Sequence, residues 1–174
     1  MRFTAGQYQL LGEAGLVGKN VELLEGIIVK KMSKSPLHSA VTQRAADRLR
    51  TVLGRGWKLR QEQPISHDNS EPEPDIAVVP AREDDYAYKH PATAELVIEV
   101  AISSVEIDHR KRAIYAGASV REYWIILPEE RRVKVHTRPL GREYSREQVY
   151  VVPEVVTCEA LPAFQLDLAA FFPQ

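Results

Sequence analysis

Apolar positions along this chain recur with two periods, and the changes between them mark out the elements. Val41, Ala45, Leu49 and Val52 fall at helical spacing behind Ser35 and Pro36, a capping residue followed by one suited to the first helical turn. Residues 36–53 are therefore expected to form an amphipathic helix, with Arg44, Arg48 and Arg50 on its other faces. Thr4 caps a shorter helix expected to reach Glu13, ended by Gly15 and Gly18. VELLEGIIVKKM reads as a hairpin turning at Glu25–Gly26, and WKLRQ, after Gly54 and Gly56, as a strand.

The middle of the chain alternates strands with one helix. SHDNSEPEPD is a loop rich in Pro, Asp and Ser, DIAVVP a short apolar strand, and ELVIEVAI a second and central one. Residues 106–116 suit a helix, REYWIIL a buried strand and RRVKVHT a half-exposed alternating strand, with another strand near QVYVV. The stretch LPAFQLDLAAFF ends in a short helix started by Asp167, with Phe171 and Phe172 covering an apolar edge or forming a homodimer contact. This order predicts a mixed central sheet flanked by helices, an α/β or α+β fold in one domain over residues 1–174.

Composition narrows the class. A chain of 174 residues can build a core without disulfides, and its single cysteine, Cys158, cannot form an internal one. With no apolar run long enough for a span or a leader, the expectation is a cytoplasmic protein without membrane association. A net charge of −1 excludes a generic polyanion binder, but the charges are unevenly placed. Residues 30–60 hold nine Lys and Arg against Asp47 alone, and residues 61–85 hold eight acidic residues against Arg82 alone. These blocks fit a phosphate-binding face beside a cation site, or two solvated faces that pair with each other.

Glu99 is the least expected residue. Alternation in LVIEVAI puts it on one face with Val97 and Ala101, and a carboxylate among such neighbours is costly unless something pairs it. A buried Arg partner or plain exposure on the sheet face would also account for it. Asp75 opens DIAVVP at the mouth of a strand. If the two strands pair, Asp75 and Glu99 converge on one cation, and hard oxygen ligands suit Mg²⁺ or Mn²⁺. The five histidines show no zinc spacing, and there is no GxGxxG or GxxxxGK[ST] loop. Tyr123 and Trp124 read as core residues rather than base-stacking platforms.

EPEPDIAVV, ELVIEVAISS, an Asp-Lys helix ending at Tyr115 and REYWIILP, taken in order, resemble the Uma-type restriction-endonuclease family of the PD-(D/E)XK nuclease superfamily. The resemblance extends back through VELLEGIIV and SPLH and forward to LPAFQLDLAAFF. It implies a restriction-endonuclease-like core and metal-dependent hydrolysis of nucleic-acid phosphodiesters, DNA ahead of RNA. By position, Asp75 and Glu99 match the acidic pair, and the Val100 carbonyl would complete the ligation of Mg²⁺ or Mn²⁺. Glu22 matches an upstream acidic residue, with Glu25 as a competitor on the same turn. Ala101 stands where the wider superfamily has Lys, so Lys111 on the following helix takes that part, with Arg112 as its rival. His38 matches a His at the start of the family's helix, which serves either the site or a turn. Arg44 and Arg48 would hold backbone phosphates. Two alternatives keep the same fold, a binding module without cleavage and a homo-oligomeric interaction protein.

Overall fold

The structure, a computed structural model, describes residues 2–103 and 108–173. A first helix, α1 (Ala5–Glu13), is followed by the hairpin of β1 (Val21–Leu24) and β2 (Ile27–Lys30). Thr4 caps α1 through a reciprocal pair of bonds with Gln7. The hairpin turns through Glu25 and Gly26, both at positive φ, as a two-residue hairpin loop requires. A side chain at position 26 would also meet the backbone of Phe3.

Six strands form the main sheet. They are β3 (Trp57–Gln61), β4 (Ile76–Pro80), β5 (Leu96–Val100), β6 (Glu122–Leu127), β7 (Arg132–Leu140) and β8 (Glu143–Val151), in that spatial order. Every neighbouring pair is antiparallel except β5 and β6, which are parallel and joined through α3 (His109–Gly117). The mixed sheet flanked by helices is the fold class that the hydrophobic pattern predicts.

Strand alternation divides the core into two layers. Ile76, Val78, Leu96, Ile98 and Trp124 face α2 (Pro36–Val52), which buries Val41, Ala45, Ala46 and Leu49 against them. Ala77, Val79, Val97, Tyr123 and Ile125 face the other way, toward Tyr115 of α3. Truncating Leu49 to Ala would cost about 2–5 kcal/mol, the usual range for a fully buried leucine.

Two small strands, β9 (Val155–Thr157) and β10 (Gln165–Asp167), pair antiparallel, and α4 (Leu168–Phe171) follows with Asp167 as its cap. Glu122 fastens this segment to the sheet. Its buried carboxylate accepts from Trp124 Nε1 (2.7 Å), Ala160 N (2.9 Å) and Cys158 Sγ (3.2 Å). Phe171 and Phe172 lie in the core layer beneath α2, so their rings cover this chain's own apolar edge.

The elements differ from expectation in two places. Asp108 caps α3 and its helix starts at His109, while positions 106 and 107 of the expected helix lie outside the described residues. Strands β7 and β8 form one long hairpin rather than two short strands. Pro139 is tolerated there because the β6 ladder ends opposite Thr137, leaving β7 without a neighbour on that side. Among the described residues no helix is long and apolar enough to cross a membrane.

Candidate active site

The register of β4 and β5 sets the site. Ile76 pairs with Ile98, so one rung further along Asp75 stands opposite Glu99 on the same face of the sheet. Both carboxylates line a cavity of ≈ 760 Å³, which also takes in Glu22, His38, Val100 and Lys111. Residues from five separate stretches of the chain, positions 22 to 111, thus meet in one cavity.

Asp75 is buried and held from three sides. Its Oδ2 accepts from the Val100 N–H at 2.8 Å and lies 3.1 Å from His38 Nε2, and its Oδ1 lies 3.2 Å from Lys34 Nζ. His38 reaches this place because Ser35 caps α2 on the His38 N–H, fixing the first turn over the strand ends. Burial opposes the Asp75 charge, but the His38 bond, the Val100 N–H and Lys34 outweigh it and hold the carboxyl below its ordinary range.

Glu99 is in the opposite condition. Its Oε1 accepts from Tyr115 OH at 2.7 Å and from Lys111 Nζ at 3.0 Å. Burial nevertheless pushes its pKa up to about 7, against the pull of Lys111, with the charges of Asp75 and Glu22 adding to the rise. Two carboxyl groups on facing strands therefore differ in proton affinity, one ionised and one poised near neutrality. Paired acidic groups with divergent environments are a mark of functional sites.

Lys111 joins Glu99 to Glu22. Its ammonium lies 3.1 Å from Glu22 Oε2, and Glu22 also accepts from the Glu73 N–H at 3.0 Å. Burial works against the Lys111 charge, yet the two carboxylates more than compensate and raise its pKa above the ordinary lysine value.

The competitors lie elsewhere. Arg112 points outward to Glu147 at 3.6 Å, and Glu25 sits in the hairpin turn paired with Arg142. Arg44 and Arg48, expected to hold backbone phosphates, do not line the cavity. Arg44 Nη1 donates to the Phe171 carbonyl at 2.8 Å and Arg48 Nε to the Gln165 carbonyl at 3.4 Å, so they brace the C-terminal segment. Besides Lys111, the lysines and arginines that border the cavity among the described residues are Lys30, Lys31, Lys34 and Arg110.

Two residues in contact with the carboxylates escape sequence reasoning. Tyr115 follows Lys111 by four positions, so helical spacing alone could have placed both on one face toward Glu99. Lys34 carries no such signal, because its position depends on how the chain crosses from β2 to α2. Among the described residues, no three His, Cys, Asp or Glu side chains form a metal-holding group.

A six-stranded mixed sheet flanked by helices gives the chain a restriction-endonuclease-like fold. Consistent with that fold, the chain is similar to a solved structure described as a "putative nuclease belonging to DUF820" from Anabaena variabilis. The likeness has a TM-score of 0.76 at 20% identity and covers 93% of this chain and 96% of that one. No curated protein matches. Residues 9–169 match the family described as "Uma2: Putative restriction endonuclease", and the chain belongs to that family.

Proposed function

We propose that this protein is a divalent-metal-dependent endonuclease that hydrolyses DNA phosphodiester bonds. The observation that carries the reading is the convergence of Asp75, Glu99 and Lys111 in one cavity bordered by lysines. The donors suit the ion. The carboxylates of Asp75 and Glu99, with the Val100 carbonyl, make an all-oxygen set of the kind that Mg²⁺ and Mn²⁺ prefer. When bound there, the ion supplies Lewis-acid polarisation of the phosphate and a water of lowered pKa.

The protein's own groups have separable parts. Asp75 offers a charged ligand whose orientation His38 and the Val100 N–H fix. Tyr115 holds the Glu99 carboxyl in place. Lys111 is kept charged by Glu22 and Glu99, so it acts by orienting the attacking water and offsetting charge on the pentavalent phosphorus, not as a base. Lys30, Lys31, Lys34 and Arg110 meet flanking phosphates, which gives affinity that falls with salt and is largely indifferent to sequence.

The test is incubation of labelled DNA and RNA with Mg²⁺ or Mn²⁺, with wild type beside the Asp75→Ala/Glu99→Ala double variant. Metal-dependent cleavage of DNA by wild type alone is the expected result. One observation favours a binding module without cleavage: Lys34, His38 and Lys111 already pair the carboxylates. Metal-insensitive binding with no cleavage of either nucleic acid would establish that alternative.

A further inference from the structure

A second cavity, of ≈ 450 Å³, lies between α1 and the segment that follows β4. Glu73 lines both cavities, with Lys31 bound to it at 2.5 Å, so the two spaces adjoin. Three tyrosines, Tyr8, Tyr86 and Tyr88, contribute to its wall. Its volume falls in the range of small-molecule sites, which is about 300–1,000 Å³.

We infer that this cavity is a nucleobase subsite for an unpaired stretch of the DNA strand entering the proposed active site, with Tyr88 as its stacking platform. Tyr88 is 92% exposed, the highest value among the large apolar side chains described. An aromatic ring left in water gains most from a flat partner, and every base offers one. Tyr86, two positions earlier, is anchored to the sheet. The Tyr86 ring contacts two guanidinium groups, Arg60 at 5.4 Å and Arg82 at 5.1 Å from its centroid, and its hydroxyl donates to the Pro80 carbonyl at 2.7 Å.

Charge decides which part of a nucleotide enters. Glu13, Glu71 and Glu73 line the interior, which repels a phosphate but accepts a neutral base. The Gln9 amide and Glu71 carboxylate, paired at 2.7 Å, present donors and acceptors to a base edge. Lys19 and Lys89 also line the cavity and supply charge for the neighbouring phosphates. A base stacked inside a duplex cannot reach such a space, so the substrate class is single-stranded DNA or DNA with an extruded base.

This inference rests on the nuclease reading for its choice of strand, and binding measured in EDTA separates the two. Wild type, Tyr88→Ala and Tyr88→Trp are titrated with a fluorescent single strand of about 12 nucleotides, a length one binding groove can cover, and with the matching duplex. Truncating Tyr88 removes no buried packing, so all three proteins should fold. Tyr88→Ala should weaken single-strand binding about tenfold or more, leave duplex binding unchanged and lose the quenching of a 2-aminopurine base, while Tyr88→Trp retains all three. Equal single-strand affinity for wild type and Tyr88→Ala, or no binding by wild type, would overturn the subsite. Mn²⁺-dependent cleavage by a protein with that equal affinity leaves the nuclease reading standing without the subsite. A clear loss in Tyr88→Ala with no cleavage by wild type supports the subsite and removes the nuclease.

Discussion

Replacing Glu99 with Gln keeps the oxygen that Tyr115 and Lys111 reach and removes the charge. In metal-free protein the ionised form of this carboxyl is disfavoured, since its pKa rises from 4.5 to about 7 on folding. A group whose folded pKa is raised gives stability that is fully present below the unfolded value and lost as pH climbs through the folded one. Wild type should therefore lose stability between about pH 4.5 and pH 7 and stay flat above that, by about 3 kcal/mol in all. The side chain keeps 15% of its surface open to the cavity, which makes that figure an upper bound. Glu99→Gln mimics the protonated carboxyl at every pH. In EDTA it should melt with wild type at pH 4.5 and roughly 6–12 °C above it at pH 8. Mn²⁺ should raise the wild-type midpoint at pH 8 and leave that of the variant where it was. Calorimetric melts across the pH range decide the matter. If the variant is instead less stable at pH 8, with wild type indifferent to Mn²⁺, Glu99 serves as a structural partner of Lys111, and the site is no metal centre.

Other perturbations follow from the same geometry. Lys111→Met leaves Glu22 and Glu99 facing each other without their shared cation, so it should cost about 3–5 kcal/mol at pH 8 by chemical denaturation. Tyr115→Phe removes a bond that favours the ionised Glu99, and should shift the pH dependence of Mn²⁺ binding upward, read by calorimetric titration at pH 6.5 and 8. Arg44→Ala with Arg48→Ala should cost about 1–2 kcal/mol by freeing the C-terminal carbonyls and should leave the salt dependence of DNA binding as in wild type. A flattened salt slope would instead assign those arginines to phosphates. Glu122→Gln turns one of the two accepting oxygens into a donor, leaving either Trp124 Nε1 or the Cys158 and Ala160 groups without an acceptor, and should lower the melting temperature by several degrees, with DNA cleavage unaltered at permissive temperature.

The parts of the fold that depend on local periodicity were legible before any coordinates. Residues 36–53 announced a helix through four apolar positions, and Pro36–Val52 is helical. Alternation in LVIEVAI put Glu99 with Val97, and the structure keeps those two on one face. What stayed hidden depends on contacts between distant segments. Short β9 and β10 take their pairing from the anchoring of Cys158 and Ala160 on Glu122, a partner 36 and 38 residues away. A helical wheel shows that Arg44 and Arg48 share a face, but not that the chain returns from Gln165 to Phe171 to cover it. Position in the chain offers both Glu22 and Glu25. Only the hairpin's turn, which gives Glu25 a positive φ and a place at the tip, turns one inward and the other out.

Asp75 and Glu99 lie one position beyond the Ile76–Ile98 rung that ends the β4–β5 ladder, so their spacing is inherited from the apolar residues behind them. Sliding either strand by one residue would carry a carboxylate about 3.3 Å along and turn it through to the α2 side. Ile76, Val78, Leu96 and Ile98 prevent that slip, since it would expose all four to the wrong layer. The separation of the two carboxylates is thus set by the apolar core of the sheet and not by the loops around them.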